Sequence, residues 1–241
     1  MRKFLLTKIR LSTYFWIFFF LYLGLSTIVP GNKFDSGALT LFSVNSFLYG
    51  FYIAPILGAQ KSRIEELHRI IGSEANALFS LVLHLKKLPK IERNKLQALV
   101  SMYIHVKLHR KNSTAGEKEY EQLITYCVDY KGESAEPIAK TLDALIANQQ
   151  NRTNFSTQAS NKVFANEWHV MAILFSITLG FILSIGIAST PILHVVRALL
   201  CTGLTMLIVI LIKLSTLTHK KAKQMWGPLQ KLIDTNYYRI N

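Results

Sequence analysis

His105 and His109 stand four residues apart in MYIHVKLHRK (102–111), so on a helix both imidazoles would lie on one face, as two ligands of a metal ion would. No Cys, Asp or Glu lies near enough in sequence to complete such a site, and His109 belongs to a basic His-Arg-Lys run. His68 and Glu65 fit an ordinary charged helix face. The chain has no glycine-rich phosphate loop, no HExxH and no serine in a nucleophile elbow. Enzymatic chemistry is therefore not expected, and neither a cofactor nor a metal is called for. Two groups of residues remain. His194 and Arg197 stand near the start of the last apolar run, where Arg197 either snorkels to headgroups or joins a positive outer ring that attracts anions. SVNSFLYGFYIAP (43–55) has no charge, yet crowds Phe47, Tyr49, Phe51 and Tyr52 around Gly50.

The elements that must carry these residues follow from hydropathy. Half of the 241 residues are hydrophobic, and they concentrate in four nearly uncharged runs at 11–29, 38–59, 170–189 and 192–212. About 20 apolar residues are needed to cross roughly 30 Å of hydrocarbon, so four spans are expected. A basic start precedes the first run, but that run is too long for a secretory signal core, STIVPGN offers no small-x-small cleavage site, and a second run follows closely. It reads as a retained span.

The net charge of +14 is distributed by topology. Arg2, Lys3, Lys8 and Arg10 precede the first span, sixteen Lys and Arg lie between 60 and 166, and six lie from 213 to 239. Only Lys33 and Arg197 fall in or near the short hairpin connections. Both termini and the middle segment are thus expected in the cytoplasm, with the protein in the inner (plasma) membrane as a multi-pass chain. The basic excess reads as topology and attraction to anionic lipid, and nucleic acid is not expected as a partner. Cys127 and Cys201 are too far apart in this topology to pair and read as buried thiols.

The expected organisation is 1–59 (N-terminal end and first hairpin), 60–166 (helical cytoplasmic region), 167–216 (second hairpin) and 217–241 (cytoplasmic tail). Pro30-Gly31-Asn32 and Thr190-Pro191 break the two hairpins. The middle segment is helical by pattern: Ile64, Leu67, Ile71, Leu78, Leu81 and Leu85 follow a 3.6-residue repeat, which begins where the second span ends with no breaker between. Pro89 stops it. Leu96, Leu99, Tyr103 and Val106 repeat the pattern, NSTAGE is a loop, a shorter helix covers 117–130, and Pro137 stands near another helix start. The polar run 148–161 lacks an apolar stripe, so it is either solvated or lines a wet cavity. Trp168, with Glu167 and His169, marks the entry to the third span as an interfacial anchor.

On a helix, Ser43, Phe47 and Phe51 fall within about 80° of one another, joined by Thr40, Gly50 and Ala54. Asn45, Tyr49 and Tyr52 lie opposite. An amide in hydrocarbon seeks a partner, so the Asn45 side should face other helices. The Ser-Phe-Phe face then meets lipid or a symmetry axis, unless the aromatics simply pack inside the bundle.

SFLYGFYI (46–53) resembles the second-span motif of the bestrophins, Ser-Phe-x-x-Gly-Phe-Tyr followed by a β-branched residue. The order of segments matches, and EANALFSLVLHLKKLP with NKLQALVSMYIHV resembles the bacterial bestrophin-like proteins. The resemblance implies an all-α, bestrophin-like fold of four transmembrane helices with a helical cytoplasmic segment inserted between spans 2 and 3. It implies a homo-oligomer, a pentamer in that family, that passes small, chloride-like anions. Phe47 and Phe51 would line its neck, with Ser43 as the polar step before it. The chain departs from the family in three ways, the first a short cytoplasmic portion, so the family's second, cytosolic constriction is not carried over. The chain also has no dense acidic cluster for a calcium clasp, and LGAQKSRIEE replaces the Arg-Trp-Trp element, leaving Arg63. Calcium regulation is therefore not expected. The alternative function is a membrane-anchored scaffold whose cytoplasmic helices bind a partner. An ion-coupled transporter is disfavoured because no Asp or Glu lies inside a span.

Overall fold

The computed structural model describes residues 9–29, 31–112, 114–185 and 191–235. Pro30, Ser113 and Thr190 of the expected breaks and loop, the basic residues Arg2, Lys3, Lys8 and Arg239, and the end of the third apolar run at 186–189 lie outside them. Helices joined by short turns and loops make up the described residues, and no strand forms among them. Asn32 and Ile185 make one isolated bridge. In chain order the helices are α1 Leu11–Ile28, α2 Ser36–Leu85, α3 Lys90–Arg110, α4 Glu117–Val128, α5 Ala135–Ser160, α6 Ala165–Ser184, α7 Pro191–Ser215, α8 Lys220–Gln224 and α9 Gly227–Asp234. Four stretches are long and apolar enough to cross a membrane: α1, the apolar part of α2, the stretch that holds α6, and α7.

α2 starts because Asp35 Oδ1 accepts from the Ala38 amide at 2.7 Å, a carboxylate cap on an otherwise unbonded helix donor. It then runs 50 residues, about 75 Å, as the missing breaker near residue 60 predicts. Pro55 stands inside it without ending it. The chain divides into two compact units, Met1–Ser62 with Lys162–His219, and Arg63–Asn161 with Lys220–Asn241.

In the first unit α7 packs along both α1 and α6. One apolar cluster gathers Tyr49, Ile53, Met171 and Leu211, and another gathers Tyr22, Ile182, Ala198 and Cys201. The small Ala198 and Cys201 let neighbouring backbones approach, which drives packing where apolar burial against lipid contributes little. Tyr22 and Thr205 hydroxyls share a hydrogen bond of 2.7 Å, so neither is left bare. Trp168 packs against the first cluster, and Glu167 Oε2 accepts from the Phe164 amide at 2.9 Å at the start of α6.

In the second unit the stripe Leu67, Ile71, Leu78, Leu85 is buried against the rest of the unit. The Lys86–Leu88 turn and Pro89 reverse the chain, and α3, α4 and α5 pack in succession. Gly116, at φ 80°, is required where it stands: a Cβ there would meet the Tyr103 ring at 2.7 Å. Phe155, inside the polar run, meets Trp226 edge-on at 5.5 Å, which ties α5 to the start of α9. That run is not simply solvated. Asn148 is buried and donates to the Tyr120 hydroxyl at 3.1 Å, while Gln149, Arg152, Thr153, Ser156 and Thr157 line a cavity. Cys127 and Cys201 are free and buried, as expected.

Candidate functional site

The two faces of α2 differ as the periodicity predicts. On its back, Asn45 Nδ2 donates to Thr178 Oγ1 at 2.8 Å and to the Leu174 carbonyl at 3.3 Å. Thr178 is free to accept because its own hydroxyl donates to Leu174 O at 2.8 Å. Tyr49 is buried and reaches the Leu204 carbonyl at 3.4 Å. These bonds clock α2 about its own axis, since rotation would strand an amide in an apolar surround.

The clocking leaves Phe47 and Phe51 outward, 68% and 70% exposed. Their rings stack at 5.9 Å with planes 20° apart. Leu41, Val44 and Leu48 share the exposed side, and Ser43 Oγ spends its proton on the Leu39 carbonyl at 3.0 Å. Neither ring is covered by the chain's own helices, so the reading in which they pack inside the bundle does not hold. A phenyl ring normally removes 150–250 Å² from water, about 4–6 kcal/mol at 25 cal/mol per Å². This pair leaves most of that to lipid or to another chain.

Arg197 is arranged differently from the snorkelling side chain that its position suggests. It is 4% exposed. Its Nη1 donates to the Ser26 carbonyl at 3.4 Å and its Nη2 to the Ile185 carbonyl. These carbonyls belong to the last turn of α1 and the C-cap of α6, where helices lack partners and carry partial negative charge. The guanidinium turns inward because two helix ends solvate it. His194 Nδ1 lies 3.2 Å from Ser26 Oγ and shares that inward turn.

Sequence reasoning missed a buried polar cluster in the second unit. Glu74 is 0% and Lys107 2% exposed. Lys107 Nζ donates to Glu74 Oε1 and Oε2 at 2.5 and 2.6 Å and to the Tyr103 hydroxyl at 2.9 Å, while Tyr103 donates to Glu74 Oε1. Burial pushes the Lys107 ammonium below its ordinary value, with Glu74 pulling it back, and burial beside Glu74 holds Tyr103 well above the usual phenol range. Burial also pushes Tyr120 up to about 12. Arg152 lies 4.0 Å from the Tyr120 ring centroid. Arg63, the remnant of the expected Arg-Trp-Trp element, is buried and donates to the Gln158 and Ala159 carbonyls at 2.7 and 2.6 Å, tying down the end of α5. His105 and His109 are exposed, and no group of three His, Cys, Asp or Glu among the described residues is placed to hold a metal ion.

The family model described as the Bestrophin-like domain matches residues 15–219, and the chain belongs to that family. The resemblance read from SFLYGFYI holds across that span. No curated protein and no solved structure matches the chain.

Proposed function

We propose, with membership of the bestrophin-like family as the premise, that this chain is one protomer of a homo-oligomeric membrane channel that passes small anions along a central axis. The observation that carries the reading is the pair of uncovered, stacked rings of Phe47 and Phe51, held outward by the Asn45 anchor behind them. Copies arranged about an axis turn the pair into two apolar collars, a constriction that gates by dewetting. The positive edge of each phenyl ring favours an anion over a cation at the collar, and Ser43 is the polar step one turn before it. The family supports a pentamer. The basic excess supports a cytoplasmic second unit, both termini on that side, in the inner membrane. Arg197, held between two helix ends, adds positive charge near the opposite mouth, with His194 beside it.

Purified protein in liposomes tests the reading. Halide efflux is expected from wild-type protein, and Phe47→Ala with Phe51→Ala raises it or removes its gating. Absence of flux at every voltage and pH, with oligomers confirmed, overturns the assignment. A monomer in mild detergent that captures a stoichiometric cytosolic partner would favour the scaffold function instead.

A further inference from the structure

A cavity of about 490 Å³ opens between α4 and α5, with Lys107 of α3 in its lining. That volume falls within the range of small-molecule sites. Its α5 wall presents Arg152, Thr153, Ser156 and Thr157, which share one helix face, and its α4 wall presents Glu117 and Glu121, one turn apart. Ile124 adds an apolar patch.

The cavity therefore carries Arg152 on one wall and Glu117 and Glu121 on the other, and these three make no ion pair. The ion pairs among the described residues are Arg69–Glu66, Lys107–Glu74 and Lys140–Glu136. Arg152 is instead held against the Tyr120 ring, with its Nη1 donating to the neutral Gln149 Oε1 at 2.7 Å. Opposite charges at contact attract, so charges kept apart in one cavity leave that attraction for something placed between them. Lys107 does not compete for the negative end of such a guest, because its charge is committed to Glu74. A single-charge ligand would satisfy one wall and desolvate the other.

We propose that this cavity binds a small zwitterion of the α-amino acid class, its carboxylate on Arg152 and the α5 hydroxyls and its ammonium on Glu117 and Glu121.

The test is thermal unfolding of the full chain in detergent with the twenty standard amino acids, each beside the matched acid lacking the amine and the amine lacking the acid. At least one amino acid is expected to raise Tm at about 10 mM, with its single-charge analogues at least about tenfold weaker. Arg152→Gln, and Glu117→Gln with Glu121→Gln, should each weaken it about tenfold or more. Thr153→Trp, which fills the cavity from an exposed position, should abolish it even if Arg152→Gln does not fold. A panel that leaves Tm unmoved, analogues that bind as tightly as the zwitterion, or binding that survives Thr153→Trp each overturns the proposal. These outcomes are read separately from anion flux, since the proposed pore residues Phe47, Phe51 and Ser43 lie outside this cavity.

Discussion

Replacing Lys107 by Met is the most informative perturbation of the second unit. The change keeps the apolar stem and removes the ammonium that neutralises Glu74. A carboxylate with no solvent exposure then keeps, among the described residues, only the Tyr103 hydroxyl as a donor. Breaking a buried pair in this way costs about 3–5 kcal/mol, whereas removing both charges is often close to neutral. Lys107→Met should therefore be far more damaging than Lys107→Met combined with Glu74→Gln, in which the new amide still accepts from Tyr103 and no charge is stranded. The double variant should lie within about 1–2 kcal/mol of wild type, the range of one imperfect hydrogen bond. Amide hydrogen exchange along α3 in the full-length protein reads this directly. Where reclosing outpaces chemical exchange, a cost of 3–5 kcal/mol speeds exchange by about a hundredfold to several thousandfold. The reasoning is refuted if Lys107→Met changes α3 exchange less than about fivefold, or if the double variant costs the sum of the two single changes.

Two further outcomes follow from single positions. Gly116→Ala should lower stability by about 1–2 kcal/mol for a left-handed backbone and a further 1–3 for the collision with Tyr103, a drop of several degrees in Tm; an unchanged melt would refute it. Burial pushes the Cys127 thiol from 9.0 up to about 11. The folded state therefore holds its proton longer than the unfolded state, so this contribution is present in full below about pH 9 and on the order of 2 kcal/mol of it is lost as pH rises from 9 through 11. At pH 8 only about one thiol in a thousand is thiolate, and iodoacetamide should label Cys127 (in a Cys201→Ser background) more than a hundredfold slower than free cysteine.

The membrane-type helices were legible because hydropathy reports what each residue does to its solvent, independent of neighbours. The clocking of α2 was legible for a related reason: one amide in an apolar run, Asn45, can lie only on a side with partners. Arg197 shows the limit. Its place near a helix start suggested escape to the surface, but its real partners are the carbonyls of Ser26 and Ile185, supplied by helices distant in sequence. The Glu74–Lys107–Tyr103 cluster did leave a trace that went unread. Glu74 falls on the buried stripe of Ile71 and Leu78, and Lys107 falls on that of Leu96, Val100 and Tyr103. Opposite charges on the apolar faces of consecutive helices predict each other. The cavity beside Arg152 left less: a polar run looks the same whether it faces bulk water or an enclosed space.

Pro55 has no amide proton, so the carbonyl four residues earlier, that of Phe51, never receives its helical bond. A rod yields first where it is least tied, and here that point coincides with the second of the two uncovered aromatics. Flexing α2 at this turn strains one main-chain bond fewer than elsewhere in the helix, while the Asn45 tether holds the preceding turns. On the proposed reading, the collar of Phe47 and Phe51 would thus sit beside a turn of α2 that bends at reduced energetic expense.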